Sequence, residues 1–274
     1  MRVDDGARGY VLGHSEQELA RLEQQSSLFA AETRTVLINA GLKPGMSVLD
    51  VGCGAGDVSL MAAAIVGPQG SVLGIDRAGA ALSVARARAE RAGYSTVRFE
   101  DADVFAFEPQ TTFDAAIGRF ILMHVADPIG VLKRLVHFLN AGGAVAFLEM
   151  DIDEAGAVPD LPLLTECIER IAATYRRVGV EPDMGSKLYA AFRAAGLSPR
   201  LAATTRIESG ADSIAYDFAA QTTRSLLPTM ERLGLANASA IGLDTLAARL
   251  REAAVAGDHC IFMPRLVGAW ATKP

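Results

Sequence analysis

At 274 residues, half of them hydrophobic and a fifth charged, the chain is long enough for one large domain, or one domain with a substantial insertion, around a sizeable core. A net charge of −6 argues against a nucleic-acid backbone as partner, the three widely spaced cysteines form no metal or disulfide pattern, and no apolar run reaches membrane-span length. The polar start, Met1 to Asp5, lacks an apolar signal region, so a cytoplasmic, soluble protein is expected.

In chain order, Ser15 and Glu18 form a capping box that opens a first helix, with Leu19, Leu22 and Phe29 on one face. A second helix, with Thr33, Val36 and Leu37 inward, stops at Gly41, and Pro44-Gly45 turns the chain towards a strand. That strand, Val48 to Val51, runs into Gly52-Cys53-Gly54-Ala55-Gly56-Asp57, after which a helical pattern starts at once and continues to about Ile65. A strand, a glycine turn and a helix N-terminus in succession expose backbone directly to a ligand and favour an anionic group. The spacing G-x-G-x-G departs from the G-x-G-x-x-G of dinucleotide binders because position 57 is Asp.

A second buried strand, Ser71 to Asp76, ends in an acid about 20 residues past the glycines, where a ribose-binding carboxylate belongs. A helix over 78–92, a third strand over 96–100 and a fourth over 113–118 follow. Asp127 and Pro128 then form an N-cap and first position for a helix over 129–139, which leaves His124 in a loop at the carboxyl edge of the sheet. Ala144 to Glu149 is the fifth strand. Strands alternating with helices over 47–150 predict an α/β fold, a Rossmann-like parallel sheet with helices on both faces. Ligands should lie beyond the strand carboxyl ends, where Gly52, Asp76, Asp103, Arg119, His124 and Glu149 all fall. Beyond Met150 the pattern predicts helices over 160–178, 185–195, 212–233 (interrupted near Pro228) and 243–256, with strands over 200–207 and 262–272. Four segments result: an N-terminal helical cap (1–45), the core (46–151), helical insertions with a sixth strand (152–260) and a last strand (261–274).

The run Leu49-Asp50-Val51-Gly52-Cys53-Gly54-Ala55-Gly56 resembles motif I of class I S-adenosylmethionine (SAM) dependent methyltransferases. The opening, Tyr10-Val11-Leu12-Gly13 through Gln25, resembles the start of a bacterial small-molecule subgroup, methyltransferase type 11/12-like. The resemblance implies a seven-stranded sheet whose last strand runs antiparallel between the fifth and sixth, and inserted helices that serve as a lid. It implies SAM as cofactor, with S-adenosylhomocysteine (SAH) as product. Asp50, Gly52, Cys53, Gly54 and Gly56 would hold the methionine part, Asp76 with Arg77 the ribose, Asp103 and the Val104 N–H the adenine. Gly118 and Arg119 would line the methionine end, with Tyr10 and Gln25 as cover. Asp101 is the alternative adenine acceptor.

Methyl transfer is an in-line displacement that needs alignment and water exclusion more than a nucleophile. The catalytic candidates are His124 as a base, Arg119 as an anchor for an acidic substrate or the partner of a carboxylate, and Glu149 as a proton acceptor or holder of a cation, each with a structural alternative. No spacing demands a metal. The acidic balance and the lid favour a small organic acceptor, as in secondary metabolism, over tRNA or protein. A protein that binds SAM without transferring its methyl, as for a cyclisation, shares the same binding residues. A homodimer through the N-terminal or inserted helices fits the pattern.

Overall fold

The computed structural model describes residues 28–274, so the expected capping-box helix, Tyr10 and Gln25 lie outside the described residues. The elements follow in chain order. Helix α1 (Ala30–Asn39) precedes β1 (Ser47–Val51), α2 (Asp57–Val66), β2 (Ser71–Asp76), α3 (Gly79–Arg91) and β3 (Val97–Asp101). Next come β4 (Phe113–Arg119), a 3-10 turn (Leu122–His124), α4 (Pro128–His137), β5 (Leu139–Asp151) and β6 (Gly156–Val158). Helices α5 (Pro162–Val178) and α6 (Met184–Ala194) lead to β7 (Arg200–Thr204) and β8 (Ile207–Ser209). The chain ends with α7 (Ala215–Arg232), α8 (Ala238–Ile241), a 3-10 turn (Leu243–Thr245), α9 (Leu246–Ala256), β9 (Cys260–Phe262) and β10 (Arg265–Thr272).

The described residues divide into two compact units. The sheet unit runs to Asp151 and takes in Asp183–Thr204 and Leu266–Pro274. Its seven strands lie in the order β3-β2-β1-β4-β5-β10-β7. Neighbours from β3 to β5 are parallel, and β10 runs antiparallel to β7 and lies between β5 and β7, as expected. Val48, Leu49, Asp50 and Val51 of β1 are all buried, the continuous pattern of a strand covered on both faces. β1 is flanked by β2 and β4, so the strand order reverses beside it and the crevice opens at its carboxyl end. Ser47 at the start of β1 is pinned to β4: its N–H and hydroxyl donate to Asp114 Oδ2 at 2.9 and 3.0 Å. Asp127 caps α4 through Gly130 N at 2.8 Å, and Pro128 takes the first helical position.

Three expectations need correction. Helix α6 belongs to the sheet unit and packs on β5 and α4 instead of extending the insertion. Asp151 anchors it, accepting from Ser186 N at 2.7 Å and Ser186 Oγ at 2.9 Å near the start of the helix. The two strands expected over 200–207 and 262–272 each divide in two. Residues 200–204 and 265–272 pair within the main sheet, whereas Ile207–Ser209 and Cys260–Phe262 pair with each other in a second sheet. Each reads as one strand because both halves are extended and follow one another closely along the chain.

The second unit comprises Ile152–Pro182 and Thr205–Arg265. In it α5 and α9 pack against α7, and the antiparallel sheet β6-β9-β8 closes the fold. The interruption expected at Pro228 does not occur. Helix α7 continues through it, with Leu226, Thr229 and Met230 buried on its packed face, so tertiary packing outweighs the lost hydrogen bond. Among the described residues no helix is long and apolar enough to cross a membrane.

Gly118 in β4 shows how tightly the sheet is filled. A Cβ there would lie 2.5 Å from Phe147 Cε1 and 2.9 Å from Ile121 Cγ2. Gly118→Ala should therefore destabilise the fold by roughly 1–3 kcal/mol through overpacking, read as a lower midpoint in thermal unfolding.

Candidate functional site

β1 ends in a turn made by three left-handed glycines, Gly52 (φ 67°), Gly54 (φ 51°) and Gly56 (φ 86°). Gly52 N and Cys53 N donate to Ile75 O of β2, at 2.8 and 3.1 Å, so the turn hangs from the neighbouring strand. Gly54 N donates to Asp76 Oδ2 at 2.8 Å, and Asp76 Oδ1 accepts from Ala78 N at 2.9 Å. One carboxylate thus ties the glycine turn to the start of α3. Each oxygen keeps an acceptor site for a ribose hydroxyl. A Cβ on Gly54 would meet no heavy atom within 4 Å, so open space faces this backbone. The turn therefore fits a cofactor carried on bare main chain.

Asp50 and Cys53, expected to contact the cofactor, face elsewhere. Asp50 is 1% exposed and accepts from Ser59 Oγ at 2.5 Å, bracing α2 against β1. Burial pushes its carboxyl up to about 7, against the pull of the Ser59 hydrogen bond. Cys53 is buried, with its Sγ 2.9 Å from where a Cβ of Gly74 would stand, so its side chain fills the space beside β2. Burial raises its thiol pKa well above the ordinary value.

An ion network lies behind the turn. Arg88 Nη2 stands 2.6 Å from Asp57 Oδ1, and Arg88 Nη1 donates to Ala55 O at 2.8 Å. Arg119 Nη2 reaches Asp57 Oδ2 at 3.8 Å, and Arg119 Nη1 donates to Thr33 Oγ1 of α1 at 3.1 Å. Burial lowers the Arg119 pKa, and Asp57 opposes that shift. Of the two roles expected for Arg119, the structure gives the carboxylate pair: its side chain is 9% exposed and spent on Asp57 and Thr33. Sequence reasoning missed Asp57 and Arg88, because residues 31 apart on two helices carry no shared periodic signal.

Asp101 closes β3 opposite Asp76 in register, and Asp103 follows in the loop. Asp103 Oδ1 accepts from Phe105 N at 2.8 Å, and its Oδ2 is 3.3 Å from Arg77 Nη1. Both acids, like Arg77, lie at the same sheet edge as the glycine turn, and Val104 beside them is buried.

Past β4, Phe120 holds a left-handed φ of 55° and stacks edge-on against Phe29 at 5.6 Å between centroids. Such a conformation in an aromatic residue is strained and concentrates at ligand sites. His124 follows, half-buried, at the end of the 3-10 turn. Glu149 underlies this turn. It is 0% exposed, and its Oε1 accepts from Ile121 N at 3.0 Å and Leu122 N at 2.8 Å. Burial pushes its carboxyl up to about 8. Its Oε1 is spent on the main chain that carries His124, and its buried Oε2 has no hydrogen-bond partner among the described residues.

A family model described as a methyltransferase domain matches residues 42–196, more than half of the chain and all of β1 to α6. The chain belongs to the methyltransferase domain family. It is 39% identical over 110 residues to the 2-phytyl-1,4-naphtoquinone methyltransferase of Synechococcus elongatus, a match covering 39% of this chain and 47% of that protein. It is 37% identical over 120 residues to the aklanonic acid methyltransferase DauC of a Streptomyces species, covering 43% of this chain and 54% of that one. The chain spans about half the length of these curated relatives. Among solved structures, the YcgJ protein of Bacillus subtilis shares the fold at a TM-score of 0.60 and 18% identity, over 89% of this chain and 98% of that one.

For this methyltransferase domain, Gly54→Val should abolish SAM binding in calorimetry, because the branched side chain would fill the open space at the turn. The left-handed φ adds a stability loss of about 1–2 kcal/mol; undiminished affinity would remove the turn from the cofactor site. Glu149 supplies a pH signature. Its carboxyl is held at about 8 in the folded state against an ordinary 4.5, so the folded protein keeps a proton that the unfolded chain releases. The resulting stabilisation is full below about 4.5 and is lost as pH rises through about 8. Across that window the thermal midpoint of wild type should fall relative to that of Glu149→Gln; parallel curves would place the ionisation elsewhere.

Proposed function

We propose that this chain binds SAM and transfers its methyl group to a small organic acceptor of the quinone or polyketide class, in the cytoplasm. The observation that carries the reading is the glycine turn: three left-handed glycines, of which Gly54 faces open space and is held by Asp76, at the switch point of a methyltransferase-domain sheet. The named relatives act on a naphthoquinone and on aklanonic acid, which supplies the acceptor class. The net charge of −6 suits such an acceptor better than tRNA.

SAM supplies an electrophilic methyl on a sulfonium. The Gly54 backbone and the remaining acceptor sites of Asp76 hold the methionine and ribose portions, and Asp103 with the Val104 N–H takes the adenine. Asp57, Arg88 and Arg119 hold the turn and α1 in place, so the two reactants meet in a fixed alignment. His124 takes the proton from an acceptor hydroxyl, and Glu149 fixes the turn that presents it.

The test is acceptor-dependent release of SAH, with mass spectrometry of the acceptor, across a panel of hydroxyquinones and polyketide acids. Conversion of an acceptor without SAH release would instead indicate a non-transfer role for the cofactor. His124→Ala should lower kcat by about 10²-fold or more with SAM affinity within about twofold of wild type; wild-type turnover would return His124 to a structural role.

A further inference from the structure

Two carboxylates outside the ion network keep a buried oxygen without a hydrogen-bond donor among the described residues, Glu149 under the turn after β4 and Glu32 on α1. Glu32 lies in the first turn of α1, and its Oε2 is buried yet accepts no hydrogen bond among the described residues. A buried carboxylate oxygen without a donor is costly, and such an atom beside a ligand cleft marks where the ligand brings the donor.

The neighbours of Glu32 fix which cleft this is. Phe29, Glu32, Thr33 and Val36 fall at helical spacing i, i+3, i+4 and i+7, so they share one stripe of α1. Phe29 stacks on Phe120, the strained residue just past β4. Thr33 accepts from Arg119, which also reaches Asp57 at the start of α2, directly after the glycine turn. The Phe29–Thr33 end of the stripe therefore lies beside the end of β4 and the start of α2, while Val36 packs on Gly268 of β10. Arg119, the nearby cation on β4, is committed to Asp57 and Thr33. What suits Glu32 is a cationic group with several donors, arriving with the ligand.

We propose that Glu32 binds the α-ammonium group of the methionine moiety of the cofactor. The assignment rests on the SAM-binding reading above. A primary ammonium offers three N–H donors and a full charge, and a charge-assisted bond to a carboxylate is among the stronger single contacts available. The sulfonium, the other cation of SAM, offers no N–H donor and is absent from SAH, which separates the two.

Calorimetric binding of SAH and of 5′-methylthioadenosine, which lacks the amino-acid portion, to wild type and Glu32→Gln provides the test. Glu32→Gln should bind SAH at least about tenfold more weakly while 5′-methylthioadenosine binds within about twofold of wild type. SAH affinity within twofold of wild type, or an equal loss for both ligands, overturns the assignment. If Glu32→Gln does not fold, wild type decides: it should bind SAH about tenfold more tightly than the SAH analogue lacking the α-amino group, and equal affinities overturn the assignment. Wild type that binds neither nucleoside would remove the SAM-binding reading, and the Glu32 assignment with it.

Discussion

The hydrogen bond from Gly54 N to Asp76 Oδ2, at 2.8 Å, joins the two strands on which the site depends. It requires a left-handed backbone at Gly54, which only a residue without Cβ adopts cheaply, and an acid at the last position of β2. The same carboxylate receives Ala78 N, so the glycine turn and the start of α3 share one anchor. With Gly52 N and Cys53 N already turned back to Ile75 O, the turn has little freedom left. Its shape is set before any ligand arrives, and binding then spends less on ordering.

Around that anchor the protein places charges where water does not reach. Asp50 and Glu149 are both fully buried at the ends of parallel strands, and both carboxyls are pushed up towards neutrality by burial. Each holds a neighbouring segment: Asp50 takes Ser59 of α2, and Glu149 takes the main chain after β4. Asp57 stays paired between Arg88 and Arg119. These groups fix the position of the segments around the turn. At the rim lie the glycine backbone, Asp76, Asp103 and His124, which with Glu32 are the contacts proposed for the ligands.

The sheet unit and the helical unit are interleaved along the chain, which changes unit after Asp151, Pro182, Thr204 and Arg265. Two of these changes cut stretches that the sequence presents as continuous strands. In each, the first or last few residues hydrogen-bond within the main sheet and the rest within the second sheet. Extended backbone satisfies either sheet equally well, so local patterning alone does not reveal the partner.

The sequence by itself determined the alternation of strands and helices over 47–150, the glycine turn with its family resemblance, and Asp76 at its strand end. These are local signals: buried parallel strands read as apolar runs, and glycine spacing is written in consecutive residues. It also placed Asp103, Arg119, His124 and Glu149 at the ligand edge, because topology sends every parallel strand end to the same side. Only the tertiary structure decided what those side chains do. Glu149 and Arg119 lie where a substrate contact seemed natural, yet both are turned inward by partners 27 to 86 residues away in sequence. Glu32 and Arg88 carry no motif at all. Their surroundings arise from which helix faces meet the sheet edge, and the free energy of burying a charge depends on neighbours that are distant along the chain.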